Sequence, residues 1–200
     1  MPSCHKVLVA HQTSTEVWAV DAHLHTLGSS VRLSSPATNL IYDPSTDKVL
    51  AVMDGSGQVA VIDPWTMTVT AYWGISPQSH LTSIGLDSAL GVIFCGDESG
   101  NLTVADAQSG SVTGTVPTGA PITGITYDGA AQQIYCVSHD EGQVDVVQLA
   151  KGGTTLNLGQ VSTVPGVESA AVIRGSSATQ LWISYADSHG SYLQCYTLLF

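Results

Sequence analysis

Two histidines separated by one residue, His23-Leu24-His25, follow Asp21 by two positions. On a β-strand residues i and i+2 share a face, so there both imidazoles and the Asp21 carboxylate could approach one divalent metal ion. The segment also reads as an exposed turn, like its counterparts further along the chain, and on that reading these are surface histidines and no metal site is expected. His139-Asp140-Glu141 and Asp187-Ser188-His189 set an imidazole beside carboxylates, the residue types of general acid–base chemistry. Both clusters fall at hairpin tips, where small polar residues serve turn geometry, and neither has an identifiable third partner. Asp54, Asp97, Asp140 and Asp187 recur at such tips. Arranged radially they would form an acidic rim able to hold calcium or a basic partner; alternatively each caps its own turn.

The tryptophans are the other informative side chains. Trp18 and Trp182 alternate with small residues inside strand-like segments and are expected to pack between structural units. Trp65 and Trp73 flank a weaker strand, where packing competes with a role as anchors for a protein partner. The candidate binding residues are therefore Trp65, Trp73, His139, Asp140, Asp187 and His189. No Gly-x-Ser-x-Gly elbow, Walker-type phosphate loop or dinucleotide fingerprint occurs, so no catalytic residue and no cofactor is expected.

Composition narrows the partners. Five Lys and Arg residues stand against 16 Asp and Glu, for a net charge of -11. The basic residues are scattered, so no phosphate-neutralising stripe can form, and neither nucleic acid nor an anionic lipid surface is an expected partner. No apolar run approaches the ~18 residues of a membrane-spanning helix, and the first residues lack the apolar core of a secretory signal. A soluble protein of the cytoplasm or another intracellular compartment is the expectation. Cys4, Cys95, Cys136 and Cys195 lack zinc-site spacing and are expected as reduced, mostly buried thiols.

These residues must be positioned by the repeating element of the chain. "KVLVAHQTSTEVWAVD" (6–21), "KVLAVMDGSGQVAVID" (48–63), "GVIFCGDESGNLTVAD" (91–106), "QQIYCVSHDEGQVDVVQ" (132–148) and "QLWISYADSHGSYLQCYT" (180–197) align on Thr15, Gly57, Gly100, Gly142 and Gly190, spaced about 42 to 48 residues apart. Each is a strand-turn-strand hairpin. A short apolar strand precedes it, as in "NLIYDPSTDK" (39–48), and a weaker one follows, as in "DPWTMTVTAYW" (63–73). Asp at the hairpin turn can accept backbone N–H bonds, and the Gly supplies a positive φ.

With "YDPSTDKVLAVMDGSGQVAVIDPWTMTVT" (42–70) as the clearest unit, the chain resembles the β-propellers of the YVTN-repeat and WD-repeat kind. The places of the Trp-Asp pair of WD repeats are taken by Val20-Asp21, Ile62-Asp63, Ala105-Asp106 and Val147-Gln148. The resemblance implies an all-β propeller of about five blades, each of three to four antiparallel strands. It would be a single domain over 1–200 with repeats near 1–35, 36–76, 77–117, 118–163 and 164–200. About 18 strands are encoded where five four-stranded blades need about 20, so closure is incomplete from this chain alone. An irregular ring, completion by another chain and self-association remain open. The expected function is a non-enzymatic scaffold or protein-interaction module within an assembly. The alternative is a propeller enzyme or small-ligand-binding protein using polar loop residues of one face.

Overall fold

The middle strands read as unbroken apolar runs, Val49 to Met53 and Val59 to Ile62, which marks strands covered on both faces. In the computed structural model these runs are buried along nearly their whole length, whereas the strand that follows, Thr68–Gly74, alternates exposed and half-buried residues. The structure describes residues 5–150, 155–174 and 179–198, the side chains of Asp187 and Leu198 excepted.

Five antiparallel sheets follow one another along the chain. Sheet 1 holds β1 (Lys6–Ala10), β2 (Glu16–Asp21) and β3 (Thr26–Arg32). Sheet 2 holds β4 (Ala37–Asp43), β5 (Lys48–Met53), β6 (Gln58–Asp63) and β7 (Thr68–Gly74). Sheet 3 holds β8 (Leu81–Asp87), β9 (Val92–Asp97), β10 (Asn101–Asp106) and β11 (Val112–Pro117). Sheet 4 holds β12 (Gly124–Asp128), β13 (Gln133–Ser138), β14 (Gln143–Leu149) and β15 (Thr155–Ser162). Sheet 5 holds β16 (Val167–Arg174), β17 (Thr179–Asp187) and β18 (Gly190–Leu198).

Strand periodicity lets one strand serve two interfaces. Val49, Ala51 and Met53 of β5 join Val17, Ala19 and Val31 of sheet 1, while Leu50 and Val52 join Ile84, Ile93 and Cys95 of sheet 3. Phe94, Leu102 and Val104 meet Ile134, Cys136 and Val147 between sheets 3 and 4. Tyr135, Val137, Val144 and Val146 meet Leu181 and Ile183 between sheets 4 and 5. Each such side chain contributes on the order of 2 kcal/mol relative to exposure, so the core is a series of seams between sheets.

The first strands β4, β8, β12 and β16 lie side by side, and the outer strands β3 and β7, and β11 and β15, also touch. This is the stacking of propeller blades. β1 meets β4 as β5 meets β8 and β13 meets β16, so β1 is a second strand. Sheet 1 therefore supplies the second to fourth strands of a blade and sheet 5 the first to third. Among the described residues, β1 lacks a strand on its inner side and β18 on its outer side.

Because successive strands are antiparallel, alternate turns fall at opposite ends of the sheets. At one end, Asp closes six of the turns with its side chain. Asp43 Oδ1 accepts from the Ser45 N–H, and Asp87 Oδ1 from Ala89 and Leu90. Asp128, Asp21, Asp63 and Asp106 repeat the arrangement at the residues two and three further on. Of the non-glycine residues with positive φ, His25, Asp47, Met67 and Gln132 sit where these turns enter the next strand, and His5 directly precedes β1.

At the other end the hairpin tip is bonded to the loop leading to the next sheet. The N–H after each outer strand donates to the tip carbonyl: Leu33 to Thr15 at 2.8 Å, Ile75 to Gly57 at 2.9 Å, Thr118 to Gly100 at 2.8 Å and Thr163 to Gly142 at 2.7 Å. These acceptors are the aligned residues of the repeat. Gly100 and Gly142 take positive φ as the turn pattern predicts, but Gly57 does not. What the three share is a close loop: a Cβ on Gly57 would run into the Ser76 carbonyl, on Gly100 it would lie 2.7 Å from the Ala120 carbonyl oxygen, and on Gly142 2.6 Å from Pro165 N.

Gly57→Ala should therefore cost about 2 to 4 kcal/mol in urea denaturation, since backbone must move to admit one methyl. Gly74→Ala, where an added Cβ meets nothing within 4 Å, should stay within ~0.5 kcal/mol of the parent.

Candidate functional site

The turn Asp63-Pro64-Trp65-Thr66-Met67 joins β6 to β7 at the Asp-turn end. Asp63 Oδ1 accepts the N–H groups of Trp65 (2.9 Å) and Thr66 (3.0 Å), and its carbonyl accepts the N–H of Met67 (2.9 Å). Met67 is buried in left-handed conformation, which turns Trp65 outward, and Trp65 is 54% exposed. The indole does not swing freely. Its Nε1–H donates to Asp47 Oδ2 at 2.6 Å, while Asp47 Oδ1 accepts from the Tyr42 hydroxyl at 2.7 Å. Lys6 Nζ, reaching across from sheet 1, donates to the Pro64 carbonyl at 2.8 Å.

The charges below the indole are fixed as well. Lys48 Nζ lies 2.6 Å from Asp63 Oδ2. That hydrogen bond, followed by the N–H of Thr66, lowers the Asp63 carboxyl from 3.8 to about 2. The chemistry available is that of a binding anchor, a flat apolar face held by a charge-assisted hydrogen bond. Leu24, in the β2–β3 turn, is 67% exposed and Leu90, in the β8–β9 turn, is 51% exposed. With Trp65 they put a large apolar side chain at the same end of three consecutive sheets.

The remaining candidates go to different places. The half-buried Trp73 packs against the seam between sheets 2 and 3, and a Cβ on Gly110 would overlap its ring. Its indole is taken up in blade packing. His139 and Asp140 form a neighbouring pair, Nδ1 to Oδ1 at 2.7 Å, and His189 Nδ1 lies 3.2 Å from the Ser188 hydroxyl. Each imidazole is thus bonded within its own tip; the Asp187 side chain lies outside the described residues.

His23 and His25 are not on a strand. Residues 22–25 form a turn, His25 has φ +54°, and the Asp21 carboxylate is occupied by the N–H groups of His23 and Leu24, so the shared-face geometry for a metal is absent. The His23 ring faces that of His5, with centroids 6.4 Å apart and planes tilted by 49°. No group of three or more His, Cys, Asp or Glu side chains among the described residues could hold a metal ion.

The acidic tips also differ among themselves. Asp97 is buried, with Oδ1 accepting from the Ser99 and Asn101 N–H groups and Oδ2 from the Ser76 hydroxyl at 3.0 Å, so it joins its tip to the preceding loop. Asp54 is exposed and does not cap its turn; its backbone N–H bonds the Pro36 carbonyl instead. Cys95 and Cys136 are buried and Cys195 exposed; Cys4 lies outside the described residues. Burial pushes the Cys95 thiol to about 12, away from reactive thiolate chemistry.

The supporting residues Lys6, Tyr42, Asp47 and Lys48 were not singled out by motif. The available signal was an apolar residue inside an Asp-initiated turn, seen in "DAHLH" (21–25), "DPWTM" (63–67) and "DSALG" (87–91), where turn geometry asks for small polar residues.

No protein-family model and no curated protein matches the chain. Solved structures do match. Hydrazine synthase of Kuenenia stuttgartiensis aligns over 97% of this chain and 59% of its own, with TM-score 0.75 and 9% identity. The β-propeller domain of Cps50 (Swd1) from Myceliophteria thermophila aligns over 98% and 69%, with TM-score 0.75 and 13% identity. Sqt1 of Saccharomyces cerevisiae aligns over 98% and 55%, with TM-score 0.78 and 13% identity. The chain spans between 55% and 69% of the length of these chains. At such identities the likeness is one of fold: an all-β propeller with five antiparallel sheets of three to four strands and, among the described residues, no closed sheet. No helix among the described residues is long and apolar enough to cross a membrane.

The Lys48–Asp63 bond gives an acid signature. A lowered carboxyl contributes stability above its ordinary pKa and loses it as pH falls through the folded value. Lys48→Met should cost about 1 kcal/mol at neutral pH, with the difference from the parent closing between pH ~4 and ~2 in denaturant titrations.

Proposed function

We propose that this chain is a non-enzymatic, YVTN-like propeller module that binds a protein partner at its Asp-turn end, with Trp65 as the anchor. The observation that carries this reading is the buttressed, half-exposed indole of Trp65, held by Asp47 and set at the same end as exposed Leu24 and Leu90. Large apolar groups at turn tips are costly to leave in water, and an aromatic ring held in place loses little further freedom on binding. The Asp-turn end also carries Lys6, Lys48 and Arg174. Lys48 and Arg174 are ion-paired to Asp63 and Asp128, while Asp21, Asp43, Asp47, Asp87 and Asp106 add further carboxylates at the same end.

A photo-crosslinking residue at position 65 tests this directly, with one at Thr113 on the outer strand β11 as control. Position 65 should give a defined protein adduct that position 113 does not. With that partner purified, Trp65→Ala should weaken binding at least ~10-fold while the thermal melt stays in place. Full affinity in Trp65→Ala would sink the proposal.

A further inference from the structure

At the opposite end, the connection from β7 to β8 leaves a groove of about 510 Å³ lined by Gly55, Gly57, Gly74, Gln58, Gln78 and His80, with Ser56, Pro77 and Ser79 completing it. One wall is the tip of sheet 2. The other is the loop 75–80, held to that tip by the N–H groups of Ile75 and Ser76 on the Gly57 carbonyl and of Leu81 on the Ser56 carbonyl. The same loop is fastened to the tip of sheet 3: Ser99 Oγ donates to Ser79 Oγ at 2.9 Å, and the Glu98 N–H bonds the His80 carbonyl at 3.0 Å. The groove is therefore a fixed feature between the tip of sheet 2 and a loop fastened at both sides, of a size that suits a short chain segment.

Its lining selects the occupant. Glycines bring main chain to the surface, and the side chains are amides, hydroxyls and an imidazole, which suit a polar ligand with its own amide groups. Carboxylates stand beside it: Asp54, exposed and adjacent to the lining Gly55, and Glu98, whose Oε2 lies 3.3 Å from Nδ1 of the lining His80. Exposed Asp140 and Glu141 occupy the corresponding tip of sheet 4. Arg32 is the one Lys or Arg at this end among the described residues, while Lys6, Lys48 and Arg174 lie at the other. The charge of the chain is thus unevenly shared between its two ends, and the groove lies at the more acidic one.

We propose that the groove between the tip of sheet 2 and the loop 75–80 binds an extended polypeptide segment bearing arginine or lysine. Its main chain lies along the glycine-lined floor, and its cationic side chains reach Asp54 and Glu98. This second surface is independent of the Trp65 anchor, being at the other end of the sheets.

The probe is a fluorescein-labelled peptide of alternating glycine and arginine, with a glycine–glutamate peptide and a glycine–serine peptide as comparators, followed by anisotropy at low and physiological salt. The arginine peptide should bind at least ~10-fold tighter than either comparator and weaken as salt rises. Gly74→Trp adds a large side chain where an added Cβ meets open space, and it should reduce that binding at least ~10-fold with an unchanged melt. Asp54→Lys with Glu98→Lys should do the same, and Trp65→Ala should leave it intact. Absent arginine-peptide binding, equal binding of the serine peptide, or undiminished binding in Gly74→Trp would each overturn the proposal. An undiminished charge-reversal variant would overturn the role of the two carboxylates.

Discussion

The hydrogen bond from the loop N–H to the hairpin-tip carbonyl, made at Thr15, Gly57, Gly100 and Gly142, is the contact on which the rest of this structure depends. Hydrophobic seams bring the sheets together, but burial is non-directional and would tolerate many offsets between two flat apolar faces. The tip–loop bond removes that freedom. It joins the turn between the second and third strands of one blade to the chain leading into the next, fixing where each first strand begins. Asp97 adds a side-chain tie in the third blade by taking Ser76 from the preceding loop.

From that constraint the two ends acquire different characters. The clasped end must bring loop backbone within van der Waals contact of the tips, so it is rich in glycine and small polar residues, and the loop 75–80 leaves a groove beside the tip of sheet 2. The Asp-turn end makes local turns closed by a carboxylate that binds main-chain N–H groups, so closing the turn does not use the intervening side chains. Leu24, Trp65 and Leu90 occupy such positions. Buried polar groups lie along the sheets too: burial raises the Asp145 carboxyl against the opposing bonds from Gln143 and Asn157.

Much of the fold was legible in the sequence because its cause is local and periodic. The apolar runs of β5, β6, β9 and β10, the Asp turns and the spacing of Gly57, Gly100 and Gly142 all express one repeat. The reason for those glycines was legible only in part, since Gly57 answers to the proximity of Ser76, a contact between segments that periodicity does not encode. The candidate site was less legible still. Trp65 could be picked out as an aromatic in a turn, but its hydrogen bond to Asp47 joins residues 18 apart in different turns, and Lys6 reaches Pro64 from another sheet. The histidine pair could be read on a strand or in an exposed turn, and the turn is what forms, with His25 in left-handed conformation. Trp73, flanking the same strand as Trp65, gave no sequence signal that its ring would meet Gly110.

Amide hydrogen exchange at Leu33, Ile75, Thr118 and Thr163 tests the central claim most directly. These residues lie just beyond the outer strands, in loops whose amides would ordinarily exchange fast. If the tip–loop bonds fix the blades, the four amides should be protected to the level of the buried β5 and β9 strands and be lost with them in a single cooperative opening. Exchange at the rate of an open loop, with the strands still protected, would show that the sheets are held by their apolar seams alone and would contradict the account.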